Sequence, residues 1–188
     1  MISDGKRIIA MREYTIMMIG SAGMNYALEL LRNEKEGLEK RYPSSFLLSA
    51  EKRLCNERDR IKAFEKTLPE PWDCTNEDRT WLCPMHSDGV FGALWIMGET
   101  LMCGLRANLY DIPIDQAVIE LCDYKDVNPY EADSIGAYLI ATFNPGKVLK
   151  YIEANGLNCK IIGYSTPENA RVVIGATERY LTKPEEYR

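Results

Sequence analysis

Histidine is nearly missing from this chain: His86 is the only one in 188 residues. Imidazole chemistry, the usual source of acid–base work near neutral pH, therefore has a single place to occur. No serine or cysteine motif is spaced to serve it, so His86 reads first as a structural residue at a turn. Paired cysteines are missing as well. The six stand at positions 55, 74, 83, 103, 122 and 159, with no CxxC among them. Cys103 and Cys122 fall at apolar helical positions, where a thiol acts as a small hydrophobe. Cys74, Cys83 and His86 are spaced C-x8-C-x2-H, which lacks the close pairing and the fourth ligand of a structural zinc site. No metal and no cofactor is expected.

The chain has no basic excess either. Lys and Arg number 23 against 28 Asp and Glu, a formal net charge of −5. Neither nucleic acid nor an anionic membrane is expected as a partner, since both need a concentrated basic surface. No apolar run reaches the roughly 18 residues of a membrane span. The start, Met1 to Lys6, has no basic stretch leading into an apolar one. The expectation is a cytoplasmic protein with reduced thiols. Also absent are a P-loop and a cluster of acidic residues at metal-ligand spacing, the parts on which phosphoryl transfer depends.

What the chain does have is a long apolar helix signal. In PMHSDGVFGALWIMGETLMC, Pro84 to Cys103, a polar turn leads directly into Val90, Leu94, Met97 and Leu101 at helical spacing. Phe91, Trp95 and Met102 widen that face, which places the helix inside a domain, with both Trp81 and Trp95 expected in the core. Ser87 or Asp88 is its expected N-cap. The helix start at Gly89, preceded by an extended segment over 80–85, is a candidate anion site.

Upstream, Lys6 to Ile19 reads as extended and ends at the turn Gly20-Ser21-Ala22-Gly23. Met24, Ala27, Leu28 and Leu31 then mark a helix, followed by a charged stretch over 33–41 that reads as its solvated continuation or as a loop. A helical insertion is expected over 43–68, capped by Ser44 or Ser45, with a linker over 68–78. Downstream, Leu105 to Ile112 reads as a strand, Ile114 to Cys122 as an amphipathic helix, and Ser134 to Phe143 as a central strand. A helix from Pro145 to Ala154 and strands at Cys159–Tyr164 and Arg171–Ile174 complete the order, with a loose tail over 183–188. Together these give an α+β layered class, a mixed sheet with flanking helices, within a single domain spanning residues 1–188.

The blocks MHSDGVFGALWIMGE, ANLYDIPIDQAVIELCDYKDVNPYEADSIGAYLIAT and GLNCKIIGYSTPENARVVI, in that order, resemble the C-terminal domain of the AIR synthase-related superfamily. The upstream piece GSAGMNYALELLRNEKEGLEKRYPSSFLLSA is similar to the hydrogenase-maturation-like and unassigned branch of that group. The resemblance implies a phosphate cradle built from Gly20, Ser21 and Gly23, from His86, Ser87, Asp88 and Gly89, and from Asp133, Ser134 and Gly136. It also implies a separate N-terminal domain, which in the family supplies most ATP and metal ligands and is not seen here. The family's His-Asp-x-Thr-x-Gly-Gly loop is shortened here to His86-Ser87-Asp88-Gly89. Met24 stands where a hydroxyl residue is usual, and Ile135 and Ala137 replace members of a serine-rich turn. Asp88 with Asp133 and Ser134 also forms a candidate paired-carboxylate site, against the plainer reading of solvated turns.

The expected function is that of a stand-alone ligand-binding or partner-binding module without catalysis of its own. A small phosphorylated compound is the candidate ligand. The family face normally covered by the N-terminal domain would be met by a second copy in a homodimer or by a separate protein. The alternative is a substrate-binding subunit of a split ATP-dependent enzyme whose ATP-binding half is another chain.

Overall fold

In the computed structural model, residues 13–66 and 80–184 are described. The expected linker, Cys74, the start of the first extended run and the last tail residues lie outside them. Within the described residues one seven-stranded sheet runs in the order β2-β4-β1-β5-β3-β6-β7. Its strands are β1 (Thr15–Ile19), β2 (Thr80–Pro84), β3 (Gly104–Asn108), β4 (Tyr138–Thr142), β5 (Cys159–Thr166), β6 (Arg171–Ile174) and β7 (Glu178–Tyr180). Every neighbouring pair is antiparallel except β3 and β6. This is the α+β mixed sheet with flanking helices that the sequence predicts.

β1 sits in the middle because both of its faces are apolar. Ile16, Met17, Met18 and Ile19 are all buried, Met17 and Ile19 in one core and Ile16 and Met18 in the other. Helices α1 (Met24–Asn33), α3 (Ser44–Glu65), α5 (Gln116–Tyr124) and α6 (Pro145–Ala154) build the first core. Helix α4 (Gly89–Leu101) alone supplies the helical part of the second. A single helix covering one side of a sheet must be apolar around most of its surface, which explains the pattern read at Val90 to Met97.

Several expectations are corrected. The strand over 105–112 stops at Asn108, whose side chain accepts from the Tyr110 N–H and turns the chain into a 3-10 turn. The strand over 134–143 begins only at Tyr138, because 134–137 make a turn through Gly136 at φ 94°. The charged stretch over 33–41 contains a short helix, α2 (Lys35–Leu38). Pro43, not Ser44 or Ser45, occupies the N-cap of α3. Asp88 is the cap residue of α4 but makes no side-chain cap bond. β5 runs two residues beyond Tyr164. Trp81 is exposed on the edge strand β2, and Trp95 is half-buried, with the Arg171 guanidinium stacked 4.8 Å from its ring centre. Met102 does not widen the helix face: it is the left-handed C-cap of α4 at φ 51° and is exposed.

Helix α3 is held by Leu47, Ala50, Leu54, Ile61 and Phe64, while its remaining surface is charged. Leu54→Ala leaves a cavity under this helix and lowers unfolding free energy by about 2–5 kcal/mol. Leu48→Ala, on the exposed side of the same helix, changes it by less than about 0.5 kcal/mol. Urea denaturation of the two variants separates these outcomes.

Candidate functional site

The three glycine turns meet in space, and the segment over 130–137 is what joins them. The Gly23 N–H donates to Ser134 Oγ at 2.8 Å, and that hydroxyl donates onward to the Ala132 carbonyl at 2.9 Å. The Tyr26 N–H, third in helix α1, reaches the Asp133 carbonyl at 3.0 Å. On the opposite side of the sheet the Phe91 N–H, third in helix α4, reaches the Tyr130 carbonyl at 3.2 Å. Ser134 N–H donates to the His86 carbonyl at 3.3 Å, and Met85 N–H to Ala137 at 3.0 Å. One loop therefore takes up first-turn donors of two helices that lie on different faces.

Four of the turn glycines hold backbone that other residues rarely adopt: Gly20, Gly23, Gly89 and Gly136 have φ of 88°, 64°, 65° and 94°. Gly89 is the tightest. A Cβ there would lie 2.6 Å from the Tyr130 carbonyl oxygen and 2.7 Å from that of Ala132. With the His86 carbonyl taking the Gly89 N–H at 3.1 Å, three carbonyl oxygens gather at the start of α4. Their partial negative charge occupies the place where an anion would enjoy the helix dipole.

The side chains of the expected site are dispersed in role. Ser134 is fully buried and engaged at both ends of its hydroxyl. Asp133 accepts from Ile135 N–H and from the Asn25 amide, each at 2.8 Å. His86 and Ser87 are exposed. Asp88 and Asp133 do not line a common cleft: Asp88 faces one of about 270 Å³ beside Arg179 and Lys183. Gly136 opens on another of about 400 Å³ under Arg58 and Lys62 of α3.

Gly20 and Ser21 open on a third cleft, of about 440 Å³, at the ends of β1 and β3 and the beginning of β5. Ser21 Oγ accepts the Asp115 N–H at 2.8 Å, tying the turn to the start of α5, where Asp115 Oδ1 caps the Ala117 N–H at 2.7 Å. Arg53 reaches both carboxylate oxygens of Asp115, at 3.0 and 3.3 Å. Glu57, Tyr110, Asn158 and Lys160 complete the polar lining. Burial pushes the Glu57 carboxyl above the usual range, the Asp115 charge adds to this, and Arg60 opposes it. Glu57, Asn158 and Lys160 were not identified from sequence. Glu57 sits in a heavily charged helix that reads as solvated, and nothing in the pattern shows that α3 crosses over the glycine turn. Among the described residues no three metal-binding side chains gather, and no helix is long and apolar enough to cross a membrane.

Two substitutions test this geometry. Ser134→Ala leaves the buried Gly23 N–H unpaired and costs about 1–3 kcal/mol in urea unfolding, whereas Ser87→Ala stays within about 0.5 kcal/mol. Glu57→Gln raises the melting temperature by roughly 1–2 °C at pH 7.5. The raised folded pKa makes wild-type stability fall as pH rises through it, so the gain disappears below about pH 3, where Glu57 is protonated in both states.

No family model and no curated protein sequence matches the chain. Solved structures do. The E. coli hydrogenase maturation protein HypE is similar at 17% identity and a TM-score of 0.65, over 93% of this chain and 51% of that one. HypE in a HypE–HypF complex is similar at 13% identity and 0.57, over 92% and 53%. Thiamine monophosphate kinase from Aquifex aeolicus is similar at 17% identity and 0.53, over 92% and 52%. The chain thus spans about half the length of the structures it matches. At such identities the likeness is one of fold: the chain has the fold of a part of HypE and of thiamine monophosphate kinase.

Proposed function

We propose that the chain is an AIR synthase-related module that acts by binding, without phosphoryl-transfer chemistry of its own, and that it holds a small phosphorylated compound in the cleft beneath Gly20 and Ser21. The observation that carries this reading is the pairing of that glycine turn with Lys160, a cation that forms no ion pair among the described residues, in the largest of the three clefts. The two carboxylates there are less repulsive than their formal charge. Arg53 engages Asp115, and burial raises the Glu57 carboxyl above its usual range, so its repulsion of a phosphate oxygen weakens as pH falls. In this reading residues 1–188 act as one domain, 43–68 are an insertion that brings Glu57 to the cleft, and the location is cytoplasmic.

A second reading rests on the half-length coverage of HypE and thiamine monophosphate kinase. Here the chain is the substrate-binding subunit of a split ATP-dependent enzyme, and a separate chain provides the ATP-binding half. It predicts phosphate binding that strengthens when that second chain is present.

Titration of the full chain with inorganic phosphate and with AMP, followed by amide chemical shifts, tests the first reading. Shifts are expected at Gly20, Ser21 and Lys160. Lys160→Ala weakens binding at least about tenfold, the size of a lost charge-assisted hydrogen bond. The ratio of wild-type to Glu57→Gln affinity falls as pH rises, because only the wild type acquires a charge there. Shifts absent from this cleft, or an unchanged affinity in Lys160→Ala, would sink the proposal.

A further inference from the structure

The cleft proposed for phosphate also has an apolar wall. Its volume of about 440 Å³ falls within the about 300–1,000 Å³ of sites that hold an organic molecule. Ile112, Pro113 and Ile114 line it together with Tyr110. Tyr110 belongs to the 3-10 turn Leu109–Asp111. In such a turn residues three apart share a face, and here Leu109 and Ile112 both pack into the core that α4 covers. Tyr110, between them, is turned off that face and stays 71% exposed. Its backbone is fixed nonetheless: its N–H donates to Asn108 Oδ1 at 3.1 Å, and the Asn108 amide holds Asp111 at 2.6 Å. The topology brings this ring to the side of Lys160. The antiparallel pairing of β3 and β5 ends at Ala107–Gly163, and Tyr110 and Lys160 each lie three residues past that pair, at the same end of neighbouring strands.

We infer, building on the phosphate reading above, that the cleft selects a phosphate monoester whose organic part is an aromatic ring. The ring lies against Tyr110 and Pro113 while the phosphate meets Lys160. An exposed tyrosine on a fixed turn offers a flat apolar face that is in place before the ligand arrives, and aromatic pairs attract beyond the area they bury. Charge limits the other end of the ligand. Lys160 is the one cation among the described lining residues, and it shares the cleft with the carboxylates of Glu57 and Asp115, the latter engaged by Arg53. A single phosphate, of charge about −1.5 to −2, uses up that lysine. Each further phosphoryl group adds negative charge that no lining cation meets and that the carboxylates repel. The cleft therefore discriminates against di- and triphosphates by repulsion and for aromatic monoesters by contact.

Amide-shift titrations of the full chain with inorganic phosphate, phenyl phosphate and cyclohexyl phosphate test it. Phenyl phosphate binds at least about fivefold more tightly than inorganic phosphate. Cyclohexyl phosphate, with as many carbons and no π face, gains less. Intermolecular NOEs from the phenyl protons fall on Tyr110, a readout that needs no variant. Tyr110→Ala brings the ratio of phenyl phosphate to inorganic phosphate affinity to within about twofold of one, Tyr110→Phe keeps it, and Lys160→Ala weakens both ligands together. Without divalent metal, AMP binds at least as tightly as ADP and ATP. Inorganic phosphate that shifts Gly20, Ser21 and Lys160 with no gain from the phenyl group overturns this inference and leaves the phosphate reading standing. No shift at the cleft with any of the three compounds overturns both. A phenyl gain that survives in Tyr110→Ala, one matched by cyclohexyl phosphate, or an affinity that rises from AMP to ATP also overturns the inference.

Discussion

The backbone of residues 130–134 is the constraint on which this fold turns. Two helices begin against the central sheet, α1 on one side and α4 on the other, and each brings amide donors that have no partner within their own first turn. Buried away from water, such groups carry a desolvation cost of about 1–3 kcal/mol apiece if left unmade. The carbonyls of Tyr130 and Asp133 meet the third amide of α4 and of α1 respectively, and Ser134 Oγ meets the Gly23 N–H. Glycine is required at position 89 because a Cβ there would fall 2.6–2.8 Å from the backbone of 130–132, and at position 23, with φ 64°, a Cβ would fall 2.8 Å from Val118 Cγ1. The layers above and below the sheet are thereby fastened to one short piece of chain.

That arrangement also changes what the glycine turns are able to do. A helix start with open amides attracts anions, whereas one already facing carbonyl oxygens has spent that potential on the chain itself. The turn at Gly20 and Ser21 stands apart, because it faces a cleft lined by side chains instead of by carbonyls of the 130–134 segment. Hence the proposed site moves from the helix start at Gly89 to the strand ends near Lys160, and the phosphate would be recognised by a lysine more than by a dipole.

The sequence carried the layer arrangement well. The 3.6 period at Met24 to Leu31, the all-round apolar helix after Gly89 and the Pro145 start of α6 translate directly into elements. What escaped was anything decided at long range. The turn at 134–137 reads as strand because Ile135 and Ala137 are apolar, and only the sheet's register shows that pairing begins at Tyr138. The exposed Trp81 reads as core because composition cannot distinguish an edge strand from a central one. Glu57 and Lys160 meet across a hundred residues, a relation that no local period records. The three turns of the expected cradle lie together in their backbones, while Asp88 and Gly136 open on different clefts, because a turn's residue types do not specify which way its open side faces.

The position of β1 bears on how the chain acquires this structure. Its residues, 15–19, hydrogen-bond on one edge to 138–142 and on the other to 159–166. During synthesis at about 5–20 residues per second, the segment Thr15–Ile19 emerges many seconds before either neighbour exists. Ile-Met-Met-Ile is then an unpaired apolar strand, the kind of segment that associates with others like itself. The centre of the sheet closes only once the chain through Thr166 has left the ribosome. High contact order of this sort slows folding.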